Sequence, residues 1–123
     1  MITGIVTSSL EAKIRVHILD GDSQSQAIDG LIDTGFAGFM SLPIATVATL
    51  GLPWIFRDQT ELIDGRLIPI DIFSATVIWN GKPRTINVQA LGNYILIGMR
   101  LLAGYDVAIR ATDGGLVSID AIP

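Results

Sequence analysis

Cysteine is absent from this 123-residue chain. That removes disulfides, thiolate metal sites and a cysteine nucleophile, and it fits a reducing compartment. Histidine occurs once, as His17. It alternates, with Lys13 and Arg15, against Ile14, Val16 and Ile18, which puts it on the solvated face of a half-buried strand. A serine–histidine–aspartate triad would have to use it, and nothing around it supports one. Charge is scarce as well: Asp, Glu, Lys and Arg make up 16% of the chain, against a usual share of about 25%. The net charge is −4 and there is no basic run, which argues against nucleic acid and an anionic membrane as partners. The segment Met1 to Val6 has no basic residue ahead of its apolar ones. A signal peptide is therefore not expected, and the expected location is cytoplasmic. No cofactor motif is present. Asp20-Gly21-Asp22 is acidic, but its spacing is not that of a calcium loop and it reads as a solvated turn, so no metal site is expected.

What the chain has in quantity is apolar surface, at 50% hydrophobic residues. Residues 1–123 are enough for a single domain with a core of its own. A small chain this apolar is expected to bury further surface against a second copy. Between Gly35 and Phe56 no residue is charged, and length alone would allow a membrane span there. Pro43, Pro53 and several Gly, Ser and Thr residues argue instead for a buried turn–helix–turn.

Turn signals punctuate the rest: Asp20-Gly21, Asp64-Gly65, Asn80-Gly81 and Asp113-Gly114-Gly115. Between them, Ile14 to Ile18, Phe73 to Trp79, Thr85 to Leu91, Tyr105 to Arg110 and Leu116 to Ile122 read as strands. Two short helices are expected. One is Pro43 to Leu50, with Ile44, Val47 and Ala48 on one face and Gly51 past its end; the other is Met99 to Ala103. Trp54 and Trp79 are expected as core or interface anchors. The pattern is all-β, closing as a barrel or sandwich.

The chemistry concentrates in Leu31-Ile32-Asp33-Thr34-Gly35-Phe36-Ala37-Gly38. A carboxylate ending an apolar strand is costly to bury unless it is hydrogen-bonded or has a job. Gly35 permits a tight turn that lifts it off the strand, and the Thr34 hydroxyl can brace that turn. Asp33-Thr34-Gly35 resembles the active-site motif of aspartic proteases. One copy in a short chain resembles the homodimeric, retropepsin-like kind. The likeness continues through Phe36-x-Gly38, Leu42-Pro43, Leu50-Gly51-Leu52, Ala75 to Gly81 and Leu96-Ile97-Gly98-Met99-x-Leu101-Leu102, and is to the bacterial branch of that family.

The resemblance implies an all-β, closed acid-protease barrel with one or two short helices and one lobe per chain. It implies an aspartic endopeptidase whose paired carboxylates are Asp33 of two chains in a homodimer, acting on an extended peptide. Thr34 would cross-link the two loops, and Gly35 would let substrate or water approach. A flap would span Glu61 to Pro69, with Ile63, Asp64, Gly65 and Arg66 over the substrate and Pro69 on an edge with no neighbour to bond. The alternative with the same fold is a catalytically weak or inactive dimeric module for peptide binding or assembly. Two positions depart from the best-known members. Phe36 stands where they have Ala or Ser, and Met99 stands where retroviral members have a dimer-supporting Arg, with Arg100 one place later.

Overall fold

Strict alternation makes the second strand of this protein what it is. Across Ala12–Leu19, Ile14, Val16 and Ile18 are buried while Arg15 and His17 are exposed. The computed structural model describes Met1–Pro123 and contains ten strands and two short helices. In chain order these are β1 (Ile2–Val6), β2 (Ala12–Leu19), β3 (Ser25–Ile32), β4 (Met40–Leu42), α1 (Ile44–Leu50), β5 (Trp54–Glu61) and β6 (Leu67–Trp79). They continue with β7 (Lys82–Ala90), β8 (Leu96–Ile97), α2 (Met99–Leu102), β9 (Tyr105–Ile109) and β10 (Leu116–Ala121).

The strands form one sheet in the order β5-β6-β7-β4-β8-β3-β2-β1-β10-β9, with β6 also pairing to β2. That extra pairing, His17 to Ile78 and Ile18 to Val77, closes β2, β3, β8, β4, β7 and β6 into a ring. β2 can serve two neighbours on one edge because β1 pairs only along Ala12 to Ile14. The all-β closed barrel expected from sequence is the fold observed. β5 hangs off one side of the ring, and β1, β10 and β9 hang off the other.

The ring is filled by Ile18, Leu42, Val77, Val88, Ile97 and Leu101, all fully buried. Each such side chain contributes about 1.5–3 kcal/mol. The ion pairs join partially exposed groups, among them Arg15 to Asp29 at 3.0 Å and Arg57 to Asp71 at 3.0 Å. Exposed pairs contribute roughly 0.2–1 kcal/mol, so apolar burial holds the fold. Trp79 is part of this core, and its ring meets Tyr105 edge-on at 5.8 Å. Trp54 is not: it is 58% exposed, and its indole N–H donates to Asp71 at 3.1 Å.

Both helices lie where expected, with one change of face. In α1 the buried residues are Val47 and Leu50, while Ile44 is 60% exposed. A seven-residue helix can turn only about two residues onto the sheet, and the pair three apart wins. Gly51 ends the helix in the left-handed region at φ 63°. At the Asp20-Gly21 turn the left-handed residue is Ser23, at φ 59°. Gly21 serves packing instead, donating its N–H to Leu50 O at 2.8 Å. Pro69 lies opposite Gln59 of β5, but β7 pairs with β6 only from Ile72 onward, so one side of Pro69 is unpaired as a proline requires.

Candidate active site

β3 carries the chain straight to Asp33. Beside it β8 runs parallel, Leu31 against Leu96 and Ile32 against Ile97, and β4 lies antiparallel on the far side of β8. The chain thus leaves β3, loops over residues 33–39 and returns on the other side of β8. Asp33 N–H donates to Ile97 O at 2.9 Å, which fixes where the strand ends. Phe36 N–H closes the turn on Asp33 O at 3.2 Å. Gly35 N–H donates to Asp33 Oδ1 at 3.0 Å, and Oδ2 accepts no hydrogen bond within the chain. Asp33 is half-buried, whereas Thr34 is exposed.

Gly35 does not occupy the left-handed region. Its lack of a side chain matters for another reason: a Cβ there would stand 3.3 Å from Asp33 Oδ1, crowding the carboxylate its own N–H holds. The second signature expected from sequence lies directly under this loop. Gly98 N–H donates to Phe39 O at 2.9 Å, Met99 N–H to Phe36 O at 2.8 Å, and Arg100 N–H to Gly38 O at 3.1 Å. A Cβ on Gly98 would overlap the Gly38 carbonyl oxygen. The two motifs, distant in sequence, are one hydrogen-bonded unit.

Arg100 also reaches the loop through its side chain. Its Nε donates to Ala37 O at 3.4 Å, and its guanidinium lies 5.9 Å from the centre of the Phe39 ring. Arg84 lies over the same ring at 5.3 Å.

Two hollows flank the loop. One, of about 410 Å³, is lined by Asp33 and Thr34 together with Leu10, Leu31, Leu96 and Ile109. Leu10 is 67% exposed and sits at φ 63°, a strained backbone for a leucine at the rim of a site. The other, of about 330 Å³, lies between Phe36 and Gly38 of the loop and Phe56, Asp58 and Ile72 of the β5–β6 hairpin. A groove of about 460 Å³ between α1 and β3 holds no free acid. Its one carboxylate, Asp20, already accepts N–H groups from Asp22, Gln24 and Gln26 at 2.9, 2.9 and 3.0 Å. Those bonds, the Gln24 amide foremost, hold Asp20 below the usual carboxylate range. The solvated-turn reading of Asp20 therefore describes it.

The hairpin expected around Asp64 and Gly65 is present, with Gly65 at φ 85° and Gly65 N–H donating to Leu62 O at 2.8 Å. Arg66 and Asp64 pair at 2.6 Å across the tip, and Ile63 projects fully into solvent. Within one chain, Ile63, Asp64, Gly65 and Arg66 line neither hollow; the arm residues Phe56, Asp58 and Ile72 do. Sequence reading missed the arm because β5 alternates weakly, its residues being nearly all exposed. The aromatic and β-branched run Trp54-Ile55-Phe56 after Pro53 was the available signal. Leu10 and Ile109 carried no signal, since only folding brings them to Asp33.

No family model matches the chain, and no curated protein does. Among solved structures, a retropepsin-like aspartic protease from Rickettsia conorii is similar, with a TM-score of 0.59 and 18% identity. The match covers 99% of this chain and 92% of that one. The likeness is one of fold, and it runs the length of both chains.

Proposed function

We propose that this protein is an aspartic endopeptidase whose active site is assembled from Asp33 of two copies. The observation that carries this reading is the Asp33 loop itself. Its carboxylate stands at the end of a strand paired on both sides, by β2 and β8, with one oxygen held by Gly35 N–H and the other free. A lone carboxylate can activate a water or protonate a carbonyl oxygen, but not both at once. Two in contact share one proton, because like charges resist double ionisation. The ionised member takes a proton from water as that water attacks the peptide carbonyl, and the protonated member gives its proton to the carbonyl oxygen. With one Asp-Thr-Gly per chain, the second carboxylate comes from a two-fold partner.

The surroundings support the same reading. The exposed Thr34 hydroxyl makes no hydrogen bond within the chain, so it is free to bond the partner's loop. The two hollows beside the loop offer apolar walls for side chains of an extended peptide, which would bind as an added strand. The β5–β6 hairpin walls one of them, through Phe56, Asp58 and Ile72, and would act as the flap. The fold shared with the Rickettsia conorii protease agrees with this role.

Asp33→Asn tests the reading. The change is nearly isosteric and keeps an acceptor for Gly35 N–H, but it removes both the base and the shared proton. Peptide cleavage should fall to background, at least a thousandfold, with an unchanged circular-dichroism spectrum. A statine-type inhibitor should block the unsubstituted protein alone. Turnover retained by purified Asp33→Asn would refute the assignment.

A further inference from the structure

Apolar residues make up most of the wall of the hollow between the Asp33 loop and the β5–β6 hairpin, but two charges stand in it. One is Asp58 on β5, and the other is Arg100 on α2. Neither belongs to any of the four ion pairs of the chain. Opposite charges that share one wall without meeting leave room for a polar group between them.

Asp58 is unexpected where it stands. The pairing of β5 with β6 sets Phe56 opposite Ile72, Asp58 opposite Ile70 and Thr60 opposite Ile68. Residues opposite each other in an antiparallel pair share a face, so Asp58 is the one charge on a face of Phe, Thr and Ile. The ion pair of Arg57 and Asp71 lies on the other face. Asp58 Oδ1 accepts the N–H of the next residue, Gln59, at 2.8 Å, and Oδ2 accepts nothing within the chain. A charge on an apolar face is more informative than an apolar residue on the surface.

Arg100 is held from the opposite side. Its Nε is occupied by Ala37 O at 3.4 Å, and its guanidinium lies beside the Phe39 ring. Those contacts set the group against the loop and leave both terminal NH2 groups without an acceptor. Gln89, also in the wall, already gives its side-chain N–H to Ser41 Oγ at 3.3 Å.

We infer that this hollow selects a carboxamide side chain, glutamine or asparagine, in an extended peptide, with Arg100 donating to its oxygen and Asp58 accepting from its nitrogen. A primary amide carries an acceptor and two donors on one carbon without a net charge. A glutamate in its place is met by Arg100 and repelled by Asp58, and a lysine the reverse. An aliphatic side chain covers both charges and pairs neither, and covered polar groups without partners are costly. A site built to hydrogen-bond a substrate group rejects the analogue that lacks it more strongly than an apolar pocket rejects by size. The hollow, at about 330 Å³, has room for one such side chain. The inference rests on the reading that an extended peptide binds beside Asp33; it adds which side chain that peptide carries.

The test separates binding from cleavage by using Asp33→Asn, which should hold a peptide without cutting it. A short fluorescent peptide of alanine and valine carries one variable residue, stepped along its length as Gln, Glu, Lys or Leu. Anisotropy titrations with Asp33→Asn give the dissociation constants, and the unsubstituted protein is assayed for cleavage of the same set. At one position Gln should bind about tenfold more tightly than Leu, Glu or Lys. Adding Asp58→Lys should make Glu the best ligand at that position. Adding Arg100→Met should instead favour Lys; Asp58→Lys, on an exposed residue, covers the case in which loss of Arg100 unseats the loop. A Gln preference absent at every position, or one that neither substitution moves, would overturn the inference, and cleavage of the set would then leave the peptidase standing. A preference that responds as expected, with no peptide cut, would keep the selectivity and remove the peptidase. A protein that neither binds nor cuts any member of the set would overturn both.

Discussion

At the scale of single residues, two kinds of position decide the candidate site. Under the proposed function Asp33 would supply the chemistry, and glycines supply the room. Gly98 is the sharper case of the second. It is buried, its N–H holds Phe39 O at 2.9 Å, and a methyl group in its place would overlap the Gly38 carbonyl oxygen. Backbone cannot step aside as the end of a flexible side chain can, so overpacking there costs roughly 1–3 kcal/mol or more. Gly98→Ala should lower stability by about that amount in urea titrations and reduce turnover further than the stability loss explains. A Gly98→Ala protein as stable as the parent would show that the 33–39 loop is not seated on α2 as described. Both residues were legible in sequence. Asp33 stood out by the cost of a carboxylate after Leu31-Ile32, and Gly98 by the Leu-Ile-Gly pattern of the resemblance. What sequence misattributed was the reason for Gly35, whose backbone is ordinary and whose missing Cβ spares the carboxylate.

At the scale of elements, the β5–β6 hairpin bears most on the proposed function. Gly65 at the tip has φ 85° and nothing within 4 Å of where a side chain would start. A substitution there meets no neighbour; its whole cost is the backbone conformation, of order 1–3 kcal/mol for a β-branched residue. Gly65→Val should therefore distort the tip while leaving the core and the β9 edge alone. If the hairpin closes over substrate, turnover of an extended peptide should fall at least tenfold while dimer content in the same samples stays constant. Full turnover in such a dimer would make this an ordinary hairpin. Strongly alternating or capped elements such as β2, the end of β6, and α1 with Pro43 and Gly51 were legible in sequence. β1, β4, β5 and β8 were not. β4 and β8 span three and two residues, too short for any period to register, and β5 is exposed along almost its whole length.

At the scale of the whole molecule, surface carboxylates set how the fold responds to acid. Asp71 is held below the usual range by hydrogen bonds from Arg57 and then Trp54, and Asp29 by its hydrogen bond from Arg15, in each case against an opposing effect of burial. A carboxyl group with a lower value folded than unfolded stabilises the fold above its unfolded value, near 4, and loses that contribution as pH falls through the folded value. The melting temperature should thus be flat from pH 7 to about 5 and decline below about 4. Asp71→Asn should flatten the acid decline by lowering the neutral melting temperature toward the acid value, and by only a small amount, because exposed pairs are worth little. An equally steep decline in Asp71→Asn, measured by thermal melts from pH 2 to 6, would assign the acid sensitivity elsewhere.

The sequence by itself determined that this is an apolar, cysteine-free, all-β chain with a single candidate carboxylate. Those properties are local: alternation, turn dipeptides and a costly acid after an apolar run are all written within a few residues of one another. Only the tertiary structure decided what surrounds Asp33. Leu10 and Ile109 reach its hollow from opposite ends of the chain, Phe56 and Ile72 wall the neighbouring one from a hairpin, and Gly98 supports the loop from about sixty-five residues away. The pairing of β2 with β6 that closes the ring, and the edge left open on β9, are likewise properties of strand order. Strand order is settled by which hydrophobic faces and backbone edges can be satisfied together, a competition among all ten strands that no single stretch of sequence records.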